Sequence, residues 1–311
     1  MSETGELRKD YILDRWVIIS GNRANRPVEY AKPESSEHTS SCHFCPGNED
    51  STPTEIGRSP DTGKWKVRWF ENKFPAMKPE GKYQVKTDNS FYTFSQPYGY
   101  AWILVETPDK RQLAELTIDE ITLILKTYVR IIQDLEKKEN VAYVGICKNS
   151  GREAGASIIH SHSQIITLPF MPNALKDEMN AMRKYSSCPY CKIISTEKQS
   201  ARRAYENEEW VAFCPYASRY NYELWFFPKE HVNRMEKTDI RKLADILKQA
   251  LLKLHKIGAS YNFSLHYFKD SDMHFHIELQ PRLARWGALE QSTDVIINTV
   301  PPEKAAEFYR E

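Results

Sequence analysis

A chain of 311 residues, 41% hydrophobic and 27% charged, can bury a core sufficient for two ordinary domains or one larger duplicated unit. Its 43 basic and 42 acidic residues leave a formal charge of +1, so no global field favours nucleic acid or an anionic membrane, and any phosphate site must be local. No segment reaches the roughly 20 apolar residues of a membrane span, and Met1–Glu6 lacks a signal-peptide pattern, so the expectation is a cytoplasmic protein.

In chain order, an apolar strand at Trp16–Ile19 leads into Arg23-Ala24-Asn25-Arg26-Pro27. The first of two CxxC pairs follows, Cys42/Cys45; the second is Cys188/Cys191. In a reducing compartment, two such pairs far apart in the chain read as metal ligands rather than disulfides. The remaining cysteines, Cys147 and Cys214, sit among apolar neighbours and are expected in the core.

After Cys45 comes an aromatic strand and turn, Trp69 to Pro75, then a strand Trp102–Val105 ending at Thr107-Pro108-Asp109-Lys110. The capping box Thr117-Ile118-Asp119-Glu120 opens a helix with Ile121, Leu125, Tyr128, Ile132 and Leu135 on one face. A strand at Val141–Cys147 and a loop rich in small residues, Asn149 to Ser157, precede His160-Ser161-His162-Ser163-Gln164.

From Cys188 the same order returns: Trp210 to Tyr216, Leu224–Phe227 ending at Pro228-Lys229-Glu230-His231, then a helix opened at Thr238-Asp239. That helix places Ile240, Leu243, Leu247, Leu251 and Leu254 inward, and a strand at Tyr261–His266 leads to His274-Phe275-His276-Ile277-Glu278. Two copies of a strand-rich α+β unit, 1–178 and 179–311, are the simplest account.

In a strand, His160, His162 and Gln164 share one face and the two serines the other. A neutral imidazole whose second nitrogen donates to a fixed acceptor can attack an α-phosphorus. Gln164 can hold a phosphoryl oxygen but cannot act as an acid or base, which suits transfer between phosphates.

His160-Ser161-His162-Ser163-Gln164 resembles the HxHxQ signature of the transferase branch of the histidine-triad superfamily, and the whole chain resembles the galactose-1-phosphate uridylyltransferase family, which includes ADP-glucose phosphorylase. The resemblance implies a duplicated histidine-triad unit forming one large curved antiparallel sheet with helices outside. It implies His162 as nucleophile, Gln164 and Ser157 as phosphate ligands, Asn72 and Phe74 in the base and ribose pocket, and Asn149 as a nucleotide contact. Arg23 and Arg26 would clamp the distal phosphate, a task that suits guanidinium forks, and Glu290 would contact the sugar.

Zinc is implied at Cys188, Cys191, His231 and His274, with a matching site at Cys42, Cys45 and His160. Counting back seven residues from each helix-cap threonine gives His231 from Thr238 but Lys110 from Thr117, so the first site lacks its fourth family ligand unless His43 or His38 supplies it. His276 and Glu278 stand where His162 and Gln164 stand in the first copy, and His266 reads equally as a further contact or a core histidine.

The activity implied is ping-pong uridylyl transfer from a nucleoside-diphosphate sugar to a sugar 1-phosphate, in galactose metabolism. The adenylyl alternative has inorganic phosphate as acceptor, and a non-catalytic zinc-stabilised nucleotide-binding protein is another reading. A hydrolase is disfavoured by Gln164. The family is commonly a homodimer, and Phe91–Phe94 and Tyr98–Tyr100 are either interface segments or core strands.

Overall fold

The structure, a computed structural model, describes residues 5–21 and 42–311. In chain order its elements are β1 (Glu6–Lys9), β2 (Trp16–Ile19), β3 (Glu55–Ser59), β4 (Val67–Glu71), β5 (Lys86–Asp88), β6 (Tyr92–Phe94), β7 (Ala101–Val105) and α1 (Ile118–Glu136). Then come β8 (Tyr143–Ser150), β9 (His162–Leu168), α2 (Asn173–Met182), α3 (Pro189–Glu197), β10 (Arg203–Glu206), β11 (Trp210–Phe213) and β12 (Leu224–Pro228). The chain closes with α4 (Ile240–Lys256), β13 (Tyr261–His266), β14 (His276–Pro281), α5 (Ala288–Thr293), β15 (Ile296–Asn298) and α6 (Pro302–Arg310).

The fold is α+β. Ten strands form one antiparallel sheet in the order β10-β11-β12-β14-β13-β8-β9-β7-β4-β3. The order reads alike from both ends. Its centre is the pair β8–β13, in which Tyr261 faces Ser150 and Asn262 faces Asn149, and from each of these strands the sheet continues outward through a histidine-bearing strand, β9 or β14. A small second sheet sets β2 between β1 and β15, tying the two ends of the chain together.

Helices α1 and α4 pack on one sheet face because each carries an apolar stripe at helical spacing. Thr117 Oγ1 accepts from Glu120 N and Glu120 accepts from Thr117 N, the reciprocal cap read from sequence. At α4 the capping residue is Asp239, one position later than Thr238, with its carboxylate accepting from Arg241 N and Lys242 N. Ile121, Leu125, Tyr128, Leu243, Leu247 and Leu251 join strand residues such as Trp69, Leu104, Ile146 and Ile277 in one core cluster, whereas Ile240 is only partly buried at its edge.

The opposite face is covered differently in its two halves. Tyr190 and Ile194 of α3 pack on Val211, Phe213 and Phe227, whereas the other half carries the smaller cluster of Phe44, Trp65, Phe70, Ile103 and Val105 beneath the Cys42–Cys45 loop. This asymmetry corrects the expectation for Cys147. Cys214 is fully buried, but Cys147 is exposed, because it pairs with Gln164 across β8–β9 and so points to the half of this face that α3 leaves bare, while Ile146 points to the helices. Phe91, Tyr92 and Phe94 are exposed on the β5–β6 hairpin and are not core strands. Among the described residues no helix is long and apolar enough to cross a membrane.

Candidate active site

Strand β9 begins at His162, so His160 stands just before it rather than within it. Glu106 N still donates to Ser161 O at 3.1 Å, which carries the pairing past the strand's end and holds both histidines beside β7. Val105 faces His162 and Ile103 faces Gln164. Phe44, from inside the CxxC loop, sets its ring edge-on to both imidazoles, at 5.4 Å from His162 and 6.1 Å from His160.

The tautomers follow from the acceptors. His162 Nδ1–H donates to the carbonyl of His160 at 2.8 Å, leaving Nε2 with its lone pair. Burial depresses the basicity of His162 below the usual imidazole range, with Lys148 acting in the same direction, so the ring is neutral and nucleophilic near pH 7. Asn149 lies on the same sheet face, its Oδ1 accepting from Asn262 Nδ2 at 2.7 Å, and the same amide donates to Ala154 O at 2.9 Å. The strand β13 therefore braces the loop that leads to the histidines. That loop turns at Gly151 and Gly155, both with φ near +80° (84° and 83°), and Ser157 beyond it is exposed.

Other expected contacts are placed less directly. Asn72 accepts the N–H of Phe74 at 2.9 Å, a local turn, and Phe74 itself is exposed. Asn72, Lys73 and Pro75 line a cavity of ≈490 Å³ with Tyr100, Ala101 and Trp102, and neither His162 nor Phe74 is part of its wall. Glu290 accepts from Gly287 N at 2.9 Å and so caps α5. Arg285 in the preceding segment reaches Glu153 of the glycine-flanked loop at 3.1 Å, which brings the C-terminal segment to that loop. Arg23, Arg26 and His38 lie outside the described residues.

Two Cys/His clusters have ligand atoms within 4.8 Å of one another: Cys188, Cys191, His231 and His274, and Cys42, Cys45 and His160. In both, a backbone carbonyl orients the buried histidine. His160 Nε2–H donates to Thr107 O at 2.7 Å and His274 Nε2–H to Pro228 O at 3.0 Å, so both rings turn Nδ1 toward the sulfurs. Burial pushes the Cys45 thiol up to about 11 and the Cys191 thiol up to about 12, and burial brings His274 down to about 4. Imidazole nitrogens turned toward paired cysteine sulfurs form a donor set suited to a soft divalent metal.

Lys110 is exposed, and His43 does not join the first cluster. Replacing Lys110 by histidine should complete a Cys2His2 set there, and metal titration of the Lys110→His protein should show tighter binding at one of two sites. Equal affinity in the two proteins would contradict this equivalence.

A further group was not assembled from sequence. Glu178 of α2 joins His266, His276 and Glu278, with Glu178 Oε1 at 2.9 Å from His266 Nδ1. Burial opposes a charge on His266, but Glu278 and Glu178 outweigh it and raise its pKa to about 9. His276 is 0% exposed, stacked on Phe227 at 4.5 Å and roofed by Tyr190, whereas His162 keeps 6% exposure beside the open Cys147 and the partly exposed Gln164. The second copy's histidine is thus sealed beneath α2 and α3.

The comparisons decide the family. The family model described as galactose-1-phosphate uridyl transferase, N-terminal domain, matches residues 2–172. The chain belongs to the galactose-1-phosphate uridylyltransferase family. A second model, a domain of unknown function (DUF4921), matches residues 105–308. The chain is 30% identical to ADP-glucose phosphorylase of Arabidopsis thaliana over 100% of its own length and 93% of that relative. It is 29% identical to galactose-1-phosphate uridylyltransferase of Thermotoga maritima, covering 98% of each chain. The crystal structure of the Arabidopsis thaliana ADP-glucose phosphorylase with bound ADP-glucose superposes with a TM-score of 0.85 at 29% identity, covering 99% of both chains.

Proposed function

We propose that this family member is a nucleotidyltransferase that works through a nucleotidyl-His162 intermediate, as a UDP-glucose:hexose-1-phosphate uridylyltransferase of galactose metabolism. The observation that carries the reading is the His162 imidazole, its Nδ1–H committed to a backbone carbonyl and its Nε2 left with the lone pair, on the same sheet face as Gln164. The lone pair of Nε2 forms a bond to the α-phosphorus, the bond from that phosphorus to the sugar phosphate breaks, and the electron pair leaves on sugar 1-phosphate. A second hexose 1-phosphate then attacks the same phosphorus and frees His162. Gln164 and Ser157 hold phosphoryl oxygens, Asn149 contacts the nucleotide, Asn72 and Phe74 border the base and ribose, Arg23 and Arg26 take the distal phosphate, and Glu290 contacts the sugar.

Zinc is the metal we assign to Cys188, Cys191, His231 and His274, and to Cys42, Cys45 and His160, where it supplies a structural cross-link when bound. The repeats 1–178 and 179–311 would then each carry one such site, in a cytoplasmic enzyme that is a homodimer.

The likeness to the Arabidopsis protein favours a second reading, adenylyl transfer from ADP-glucose to inorganic phosphate. Intact-mass measurement of the protein incubated with UDP-glucose or ADP-glucose separates the two. A uridylyl adduct mapped to His162 is the expected result; an adenylyl adduct alone replaces the uridine reading, and no adduct with either sugar nucleotide removes the transferase reading.

A further inference from the structure

Behind the reactive strand lies a charged group that the transfer chemistry does not use. Lys148 is 1% exposed and Glu106 2%, and the two form an ion pair between β8 and the end of β7. The Lys148 ammonium also donates to Ser161 Oγ at 2.8 Å and to the carbonyl of His162 at 3.0 Å. Glu106 in turn accepts from Ser161 at 2.6 Å, Ser163 at 2.5 Å and Tyr128 of α1 at 3.0 Å. All three ammonium protons have acceptors, so the network is complete rather than half-satisfied.

The fold does not require this arrangement. Across β13–β14, Leu265 pairs with Ile277 as Lys148 pairs with Ser163 across β8–β9, and Phe275 and Ile277 flank His276 as Ser161 and Ser163 flank His162. Those three residues are apolar and buried in the main core. The same strand geometry is therefore supported by hydrocarbon in one copy and by a buried ion pair in the other. A buried pair gains little stability over well-packed apolar groups of similar size, so its presence calls for a different role.

We infer that the Lys148–Glu106 pair, with Ser161 and Ser163, positions His162 for attack by fixing the peptide that carries it. Resting on the nucleotidyl-histidine reading, this makes Lys148 and Glu106 positioning residues, since neither reaches the open face. Contacts to residues 161, 162 and 163 in succession fix the pitch of the strand end. With Nδ1–H held by His160 O, that pitch sets the direction of Nε2. Apolar packing can slide by fractions of an ångström; directional charge-assisted bonds to a carbonyl and two hydroxyls resist such movement.

The test is the double variant Lys148→Met/Glu106→Gln, which removes both charges, keeps side-chain volume and leaves an amide in place of the carboxylate, still able to bond the hydroxyls. Its melting temperature and metal content should stay close to wild type, and its affinity for UDP-glucose within about threefold, while single-turnover labelling of His162 slows about 10²-fold, the cost of misplacing a reacting group by about 1 Å. If it does not fold, Ser161→Ala/Ser163→Ala should fold and slow labelling in the same direction. A folded variant of either kind that labels His162 at the wild-type rate overturns the inference. Failure of the wild-type protein to form any His162 adduct would instead overturn the reading on which it rests.

Discussion

Alanine at position 162 should eliminate the covalent nucleotide adduct and lower sugar-1-phosphate release by roughly 10³ to 10⁶-fold, while UDP-glucose still binds. The size of the effect follows from the absence of a substitute. On the same sheet face Gln164 and Asn149 are amides without nucleophilic nitrogen, Asn149 is already bonded to Asn262, His160 has its nitrogens turned to Thr107 O and the cysteine pair, and the Cys147 thiol is kept protonated by a pKa that burial raises. The corresponding histidine, His276, is sealed by Phe227, Trp225, Tyr190 and His266, and no phosphate could reach it without displacing α3. Stopped-flow release of sugar 1-phosphate together with intact mass is the decisive measurement. Retention of an adduct in the alanine variant would move the nucleophile elsewhere.

The second large effect is on stability. Double replacement Cys188→Ser/Cys191→Ser should lower the melting temperature by more than about 10 °C, because a structural metal site contributes several kcal/mol to folding and about 1 kcal/mol moves a chain of this size by about 2–4 °C. The cluster links the start of α3, the loop after β12 and the entry to β14, joining residues up to 86 positions apart. With no cation present the Cys191 thiol, pushed up to about 12, stays protonated, and the cross-link is lost. Cys42→Ser/Cys45→Ser should cost less stability, since three rather than four ligands meet there, but more activity, since His160 directly precedes the reactive strand. Calorimetry and metal analysis of both variants check the contrast. An unchanged melting temperature in the Cys188→Ser/Cys191→Ser protein, or a metal-free wild type of equal stability, would defeat the structural-zinc assignment.

Several parts of the molecule were readable because their physics is local. The Thr117–Glu120 cap closes over three residues, the stripe on α1 repeats every turn, and the strands at Trp16–Ile19 and Tyr261–His266 have the bounds read from sequence. Where the reading slipped, the missing term was distant. Cys147 has apolar neighbours in sequence, yet its exposure depends on which sheet face a helix covers, and that is decided by α3, more than forty residues later. Asp239 rather than Thr238 caps α4 because both are competent acceptors and only the path of the chain selects between them.

The segment His160–Gln164 divides along the same line. The sequence by itself determined the residue types: two histidines and a glutamine at alternating positions, two CxxC pairs, a lysine where the other copy has His231, and the order of elements that repeats. What only the tertiary structure decided was their surroundings. Glu106 meets Ser163 across 57 positions and Lys148 across 42, and Glu178 meets His266 across 88. Alternation along a strand tells which side chains share a face, but not whether the space behind that face is filled by leucine or by an ion pair, because the partners arrive from other strands and helices only when the sheet closes over its core.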